Sequence, residues 1–137
     1  MADASAEPLI FSSAGLEELV AHLRASGRFA FDSEFISEET FEPVLCLIQV
    51  ATRDRLAVVD PLAIRDLSPF WEVLIDPAVE VVMHAASEDL RICRFKTGTV
   101  PRRVFDVQIA AALVGFGYPL SLVNLVGQAL RVSVSGG

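Results

Sequence analysis

Apolar and polar positions alternate along this chain with two periods, and their succession predicts an α/β order. Leu9-Ile-Phe11 reads as a short strand. Ser12 or Ser13 caps a helix from about Ala14 to Ser26, in which Leu16, Leu19, Val20 and Leu23 recur at helical spacing, and Gly27 stops it. A strand over 28–35 follows, Phe29-Ala-Phe-Asp-Ser-Glu-Phe35 at its centre, and then a polar loop over 37–43. Val44–Ala51 is so apolar that both faces of that strand are expected to be covered. The turn Thr52–Arg55 returns the chain as a strand over Leu56–Asp60, and so short a connection predicts an antiparallel hairpin. Pro61 ends it. A helix from about Ser68 or Pro69 to Leu74 leads through Asp76-Pro77 to a buried strand, Val79–His84. Ser87 is the expected N-cap of a helix over 88–96. Gly98 and Pro101 mark a loop before the short strand Val104–Asp106, and helices are predicted over 108–114 and 121–130. Residues 1–8 read as a flexible tail, 133–137 as a frayed end, and 9–137 as one domain.

Composition narrows the class. A chain of 137 residues, 53% of them hydrophobic, has material for one core and is not a disordered segment. No apolar run reaches the roughly 18 residues needed to cross a bilayer. The first eight residues carry neither a basic nor an apolar signal region, so no secretion signal and no membrane are expected. Cys46 and Cys93 lie inside apolar segments, where thiols act as small core hydrophobes, and a cytoplasmic setting is expected. Two cysteines far apart with two histidines do not suit structural zinc. The net charge of −7 is unevenly spread. Residues 32–42 hold five acids and no base, whereas Arg91, Arg94, Lys96, Arg102 and Arg103 make up five of the eleven bases. An acidic pocket beside a basic strip suits a phosphodiester bridged by metal ions. An ordinary mixed surface accounts for the charges equally well.

Candidate chemistry begins in the strand over 28–35. Side chains alternate on a strand, so Asp32 and Glu34 point the same way, about 6.6 Å apart along the backbone. Phe29, Phe31 and Phe35 point into the body of the protein. Two like charges so placed repel and are compensated by a raised pKa or a divalent cation. Alone, the pair reads as a strand end. A third acid, Asp89, falls in the first turn of a predicted helix just after His84 ends a strand. Helix dipoles favour an acid there by about 0.3–1 kcal/mol, which by itself explains Asp89. Together, three carboxylates at the ends of separate elements of one sheet meet the needs of two hard cations in phosphoryl chemistry. A phosphatase with an aspartyl nucleophile would want Asp-x-Asp followed by Thr or Val, whereas this strand reads Asp32-Ser-Glu-Phe-Ile36.

Asp32-Ser-Glu34, Leu-Cys-Leu-Ile-Gln49-Val, Val-Val-Asp60-Pro61-Leu, His84-Ala-Ala-Ser-Glu-Asp89-Leu and Phe105-Asp106-Val-Gln108 together resemble ribonuclease D, of the DEDD group of 3′–5′ exonucleases. The resemblance covers nearly everything from Leu9 onward. It implies a ribonuclease H-like fold, a mixed five-stranded sheet with flanking helices, incomplete here at its C-terminal side. It also implies two divalent ions, Mg²⁺ or Mn²⁺, with Asp32 bridging both, Glu34 binding one and Asp89 holding the second directly or through water. The implied substrate is an RNA 3′ end such as that of a tRNA precursor. His84, Arg91, Arg94, Arg102 and Arg103 are the candidate nucleic-acid contacts, the arginines on charge alone. The family's third motif, Tyr-x-x-x-Asp, is missing: the only tyrosine is Tyr118, and Leu122 stands four residues later. Asp106, the last acid, reads as a structural hydrogen bonder. The third motif is expected beyond Gly137, so this chain taken alone is expected to have reduced or no exonuclease activity and to self-associate through exposed apolar surface. The alternative is a non-catalytic nucleic-acid-binding module on the same fold.

Overall fold

The computed structural model describes residues 9–37 and 41–134. The tail expected at 1–8, the end of the frayed segment and the middle of the 37–43 loop lie outside the described residues. Helix α1 spans Ser13–Ser26. The Ser12 hydroxyl accepts the Gly15 N–H at its start, and Gly27, at φ 70°, closes it by donating its N–H to the Leu23 carbonyl. Gly27 hands the chain straight to β1 (Arg28–Ile36), followed by β2 (Val44–Ala51) and β3 (Leu56–Val59). Helix α2 (Ser68–Leu74), β4 (Glu80–Met83), α3 (Ser87–Thr97), β5 (Val104–Asp106), α4 (Val107–Leu113) and α5 (Leu122–Leu130) complete the order.

The strands form the expected mixed five-stranded sheet, in the order β3-β2-β1-β4-β5. β2 runs antiparallel to β1 and β3, while β1, β4 and β5 are parallel. The strand read at 9–11 is a single parallel bridge from Ile10 to Val59. One face is packed. Leu16, Leu19, Val20 and Leu23 of α1 are buried in one cluster with Phe70, Val73 and Leu74 of α2 and Ile92 and Cys93 of α3. Phe29 and Phe31 of β1 join it, their rings 6.5 and 5.6 Å from that of Phe70, which also stands edge-on to Trp71. A bulge leaves Cys46 unpaired between the Glu34–Leu47 and Phe35–Leu45 pairs. It lets Ile48 and Leu45, three residues apart, both turn toward this layer, where both are buried.

β2 departs from the expectation that both its faces are covered. Its side chains alternate, Gln49 is exposed, and the second face of the sheet borders an open cavity of about 670 Å³ lined by Ala30, Asp32, Gln49, Ala51, Val58, Val82, His84 and Leu122. Composition reported the apolar content of β2 without reporting how much chain is available to cover it. Two helix starts also differ. α3 is capped at Ala86 and not at Ser87, because the backbone there is held by the Asp106 carboxylate. That same carboxylate accepts the Gln108 N–H and starts α4 a residue earlier than the periodicity suggests.

Phe70 is fully buried where α2 meets β1. Phe70→Ala is expected to cost about 3–5 kcal/mol in urea unfolding. The same change at Phe11, which is largely exposed, is expected to cost well under half of that.

Candidate active site

Because β1, β4 and β5 are parallel, their C-terminal ends share one edge of the sheet, the usual place for a site in such folds. Asp32 and Glu34 lie on β1 at that edge, His84 follows the last residue of β4, and Asp106 ends β5. Asp32 pairs with Gln49 and Glu34 with Leu47, and both acids are exposed on the open side. Ser33, between them, alternates to the helix layer and is buried. There it meets Asp89. The Ser33 N–H donates to Oδ1 of Asp89 at 3.2 Å, and the Ser33 hydroxyl donates to the same oxygen in a short bond.

Asp89 is 7% exposed in the first turn of α3. Burial pushes its carboxyl above the usual aspartate range; the Ser33 hydroxyl opposes that rise, and the charges of Asp32 and then Glu34 add to it. The three carboxylates thus flank the end of β1 within reach of one another's fields. Among the described residues, no three His, Cys, Asp or Glu side chains converge into a metal-binding cluster. The donor chemistry still fits a hard divalent cation: the groups are all oxygen ligands, and a cation would offset the repulsion among them.

The remaining candidates divide. His84 donates from Nε2 to the Leu120 carbonyl at 2.8 Å, and Gln108 donates to the same oxygen at 3.1 Å, so the imidazole fastens the segment before α5. Arg91 lies on α3 and pairs with Glu88 at 3.0 Å. Arg94 sits in the last turn of that helix, which runs away from the site edge. Arg102 and Arg103 precede β5, at the opposite end of the sheet. Arg103 reaches Glu80 at 3.6 Å and the Ala78 carbonyl at 3.4 Å, and Arg28 holds the same glutamate at 2.7 Å. The basic strip therefore leads away from the acids, because α3 carries it from the site edge and Arg102 and Arg103 stand before β5 begins. Ser33 was not singled out from the sequence. Its signal is a hydroxyl at an inward position of a strand whose other inward positions are Phe29, Phe31 and Phe35.

The 3′–5′ exonuclease family matches residues 9–135. The chain is 42% identical to the ribonuclease D of Gluconacetobacter diazotrophicus over 119 residues, covering 86% of this chain and 30% of that protein. It is 38% identical to the ribonuclease D of Pseudomonas paraeruginosa over 125 residues, covering 91% of this chain and 33% of that one. It superimposes on the crystal structure of Escherichia coli ribonuclease D, described as an exoribonuclease involved in structured RNA processing. The TM-score is 0.85 at 34% identity, covering 93% of this chain and 34% of that one. The ribonuclease H-like sheet implied by the sequence motifs is thus the fold of this chain. It spans about a third of the length of the curated relatives it matches.

The raised Asp89 favours the fold when protonated, so its contribution is present below the ordinary aspartate range and is lost as pH rises through the raised value. Asp89→Asn keeps an acceptor for Ser33 and removes the charge. In the metal-free chain it is expected to raise Tm at neutral pH by roughly 2–4 °C. The gain should shrink on acidification, as followed by thermal unfolding across a pH series.

Proposed function

The chain belongs to the 3′–5′ exonuclease family, and on that premise we propose that it is a metal-dependent exoribonuclease domain, hydrolysing phosphodiester bonds from RNA 3′ ends. The domain is 9–137, the RNA includes tRNA precursors, and its setting is the cytoplasm, where the free thiols of Cys46 and Cys93 persist. No described helix is long and apolar enough to cross a membrane. One observation carries the reading: Ser33, the residue between Asp32 and Glu34, binds Asp89 through both its N–H and its hydroxyl. An acid from α3 is thereby tied to the strand that bears the other two.

Asp32, Glu34 and Asp89 are the residues that would hold two Mg²⁺ or Mn²⁺ ions. When bound, such ions lower the pKa of water and offset charge on a leaving oxygen. The chain's own part is to keep Asp89 fixed on Ser33 and to leave Asp32 and Glu34 open to an incoming phosphate. His84 and Gln108 hold the Leu120 carbonyl beside that edge, and Arg91 is the nearest of the candidate phosphate contacts along α3. Three carboxylates without the Tyr-x-x-x-Asp of the family make weak turnover the expectation for this chain. The second reading is a module that binds RNA without cutting it.

With Mn²⁺ and a 5′-labelled single-stranded RNA, the expected result is slow release of single nucleotides from the 3′ end. Asp32→Asn or Glu34→Gln should lower that rate by about 10²-fold or more. RNA that is bound and stays intact with Mn²⁺ present supports the binding module, and internal cuts would sink both readings.

Self-association is also proposed, supported by the open side chains Ile109 and Leu113 of α4, Val114 just after it and Leu130 of α5. Sedimentation velocity should show an average mass that rises with concentration. Leu113→Glu should return the chain to monomer.

A further inference from the structure

The loop from β4 to α3 turns at Ala85, whose φ of 53° places a side-chain-bearing residue in the left-handed region. L residues disfavour that conformation, so neighbouring groups must hold it. Asp106 is the neighbour that does. Its Oδ1 accepts the Ala85 N–H at 3.2 Å and the Gln108 N–H at 2.9 Å, and its Oδ2 accepts the Ala86 N–H at 2.9 Å. Ala86 is the residue from which α3 departs, its carbonyl accepting the Leu90 N–H at 2.9 Å. Three residues after Ala86, Asp89 reaches Ser33. A single carboxylate at the end of β5 thus joins the start of α4, a strained turn and the start of the helix that carries Asp89.

We propose that Asp106 is the positioning residue of the carboxylate site, setting the Ala85–Ala86 turn and through it the point at which Asp89 meets β1. The inference rests on the reading of Asp89 as a metal-holding group. Asp106 is not itself a substitute for the missing fourth carboxylate, because both its oxygens are occupied by backbone N–H groups. Burial acts to raise its carboxyl, but the amides of Ala86, Gln108, Ala85 and Ile109 together hold it below the usual aspartate range, so the acceptor stays ionised.

Asp106→Asn turns an NH₂ group toward N–H donors and must give up at least one of these bonds. Residues that orient a metal ligand typically change metal affinity by about 10–100-fold, so titration of the full chain with Mn²⁺ should show a loss of about tenfold or more. Hydrogen exchange should show the Ser33 amide losing protection while the Ile48 amide, in the middle of β2, keeps its own. Ala85→Gly removes the left-handed strain. The Ala85→Gly/Asp106→Asn double variant should therefore recover most of both losses and stay close to Ala85→Gly alone. That comparison also serves if the single variant does not fold. A role confined to capping α4 predicts a lower Tm, unchanged Ser33 exchange and no recovery from Ala85→Gly, and that result overturns the proposal. A wild-type chain that takes up no Mn²⁺ overturns the proposed function instead, leaving Ser33 exchange and its recovery to decide the positioning role.

Discussion

Beyond Ala30, β1 runs on without β4 beside it. The pairing of the two strands ends at Ala30 and Val82, whereas β1 stays paired with β2 as far as Ile36. A backbone N–H on the edge that β4 has left must find another acceptor, since an unpaired buried N–H costs as much as a lost hydrogen bond. At Ser33 that acceptor is Asp89, which also takes the serine hydroxyl. The bond that completes the strand edge is the same bond that fixes the third carboxylate. The separation of β1 from β4 opens the room for α3 to enter, and the candidate site lies at that opening.

The arrangement has an electrostatic cost. Asp89 is buried, and it feels the charges of Asp32 and Glu34 as well as the loss of water. A sheet selected for stability alone would not gather three acids at one strand end. The helix layer supplies the compensating rigidity through the Phe29, Phe31, Phe70 and Trp71 cluster and the α1 leucines, all on the face opposite the exposed acids. The period of two thus divides the exposed Asp32 and Glu34 from the buried phenylalanines, while Asp89 meets Ser33 on the packed side.

Much of this was readable in the chain. The cap at Ser12, the stop at Gly27 and the α1 leucines are local signals, decided within a turn of helix, and they appear where the spacing puts them. The alternation of β1 separated Asp32 and Glu34 from the phenylalanines for the same local reason. What failed was non-local. Ser87 is a good capping residue by type, yet α3 starts from Ala86 because an acid twenty positions later binds that turn. The apolar run of β2 predicted cover on two faces, but cover depends on what the rest of the chain can place there. The arginines between 91 and 103 are close in sequence to Asp89, yet α3 carries them away from the site edge toward the end of the sheet where β5 begins.

The sequence by itself determined the order of elements and the two faces of β1, since these depend on periodicity and residue type over a few positions. Only the tertiary structure decided that Asp89 is held by Ser33, that Asp106 binds the turn ahead of α3, and that His84 fastens the Leu120 carbonyl. Those contacts join residues 20 to 56 positions apart. Their partners are chosen by which backbone groups the strand ends leave unpaired, and that is settled only when the sheet has formed.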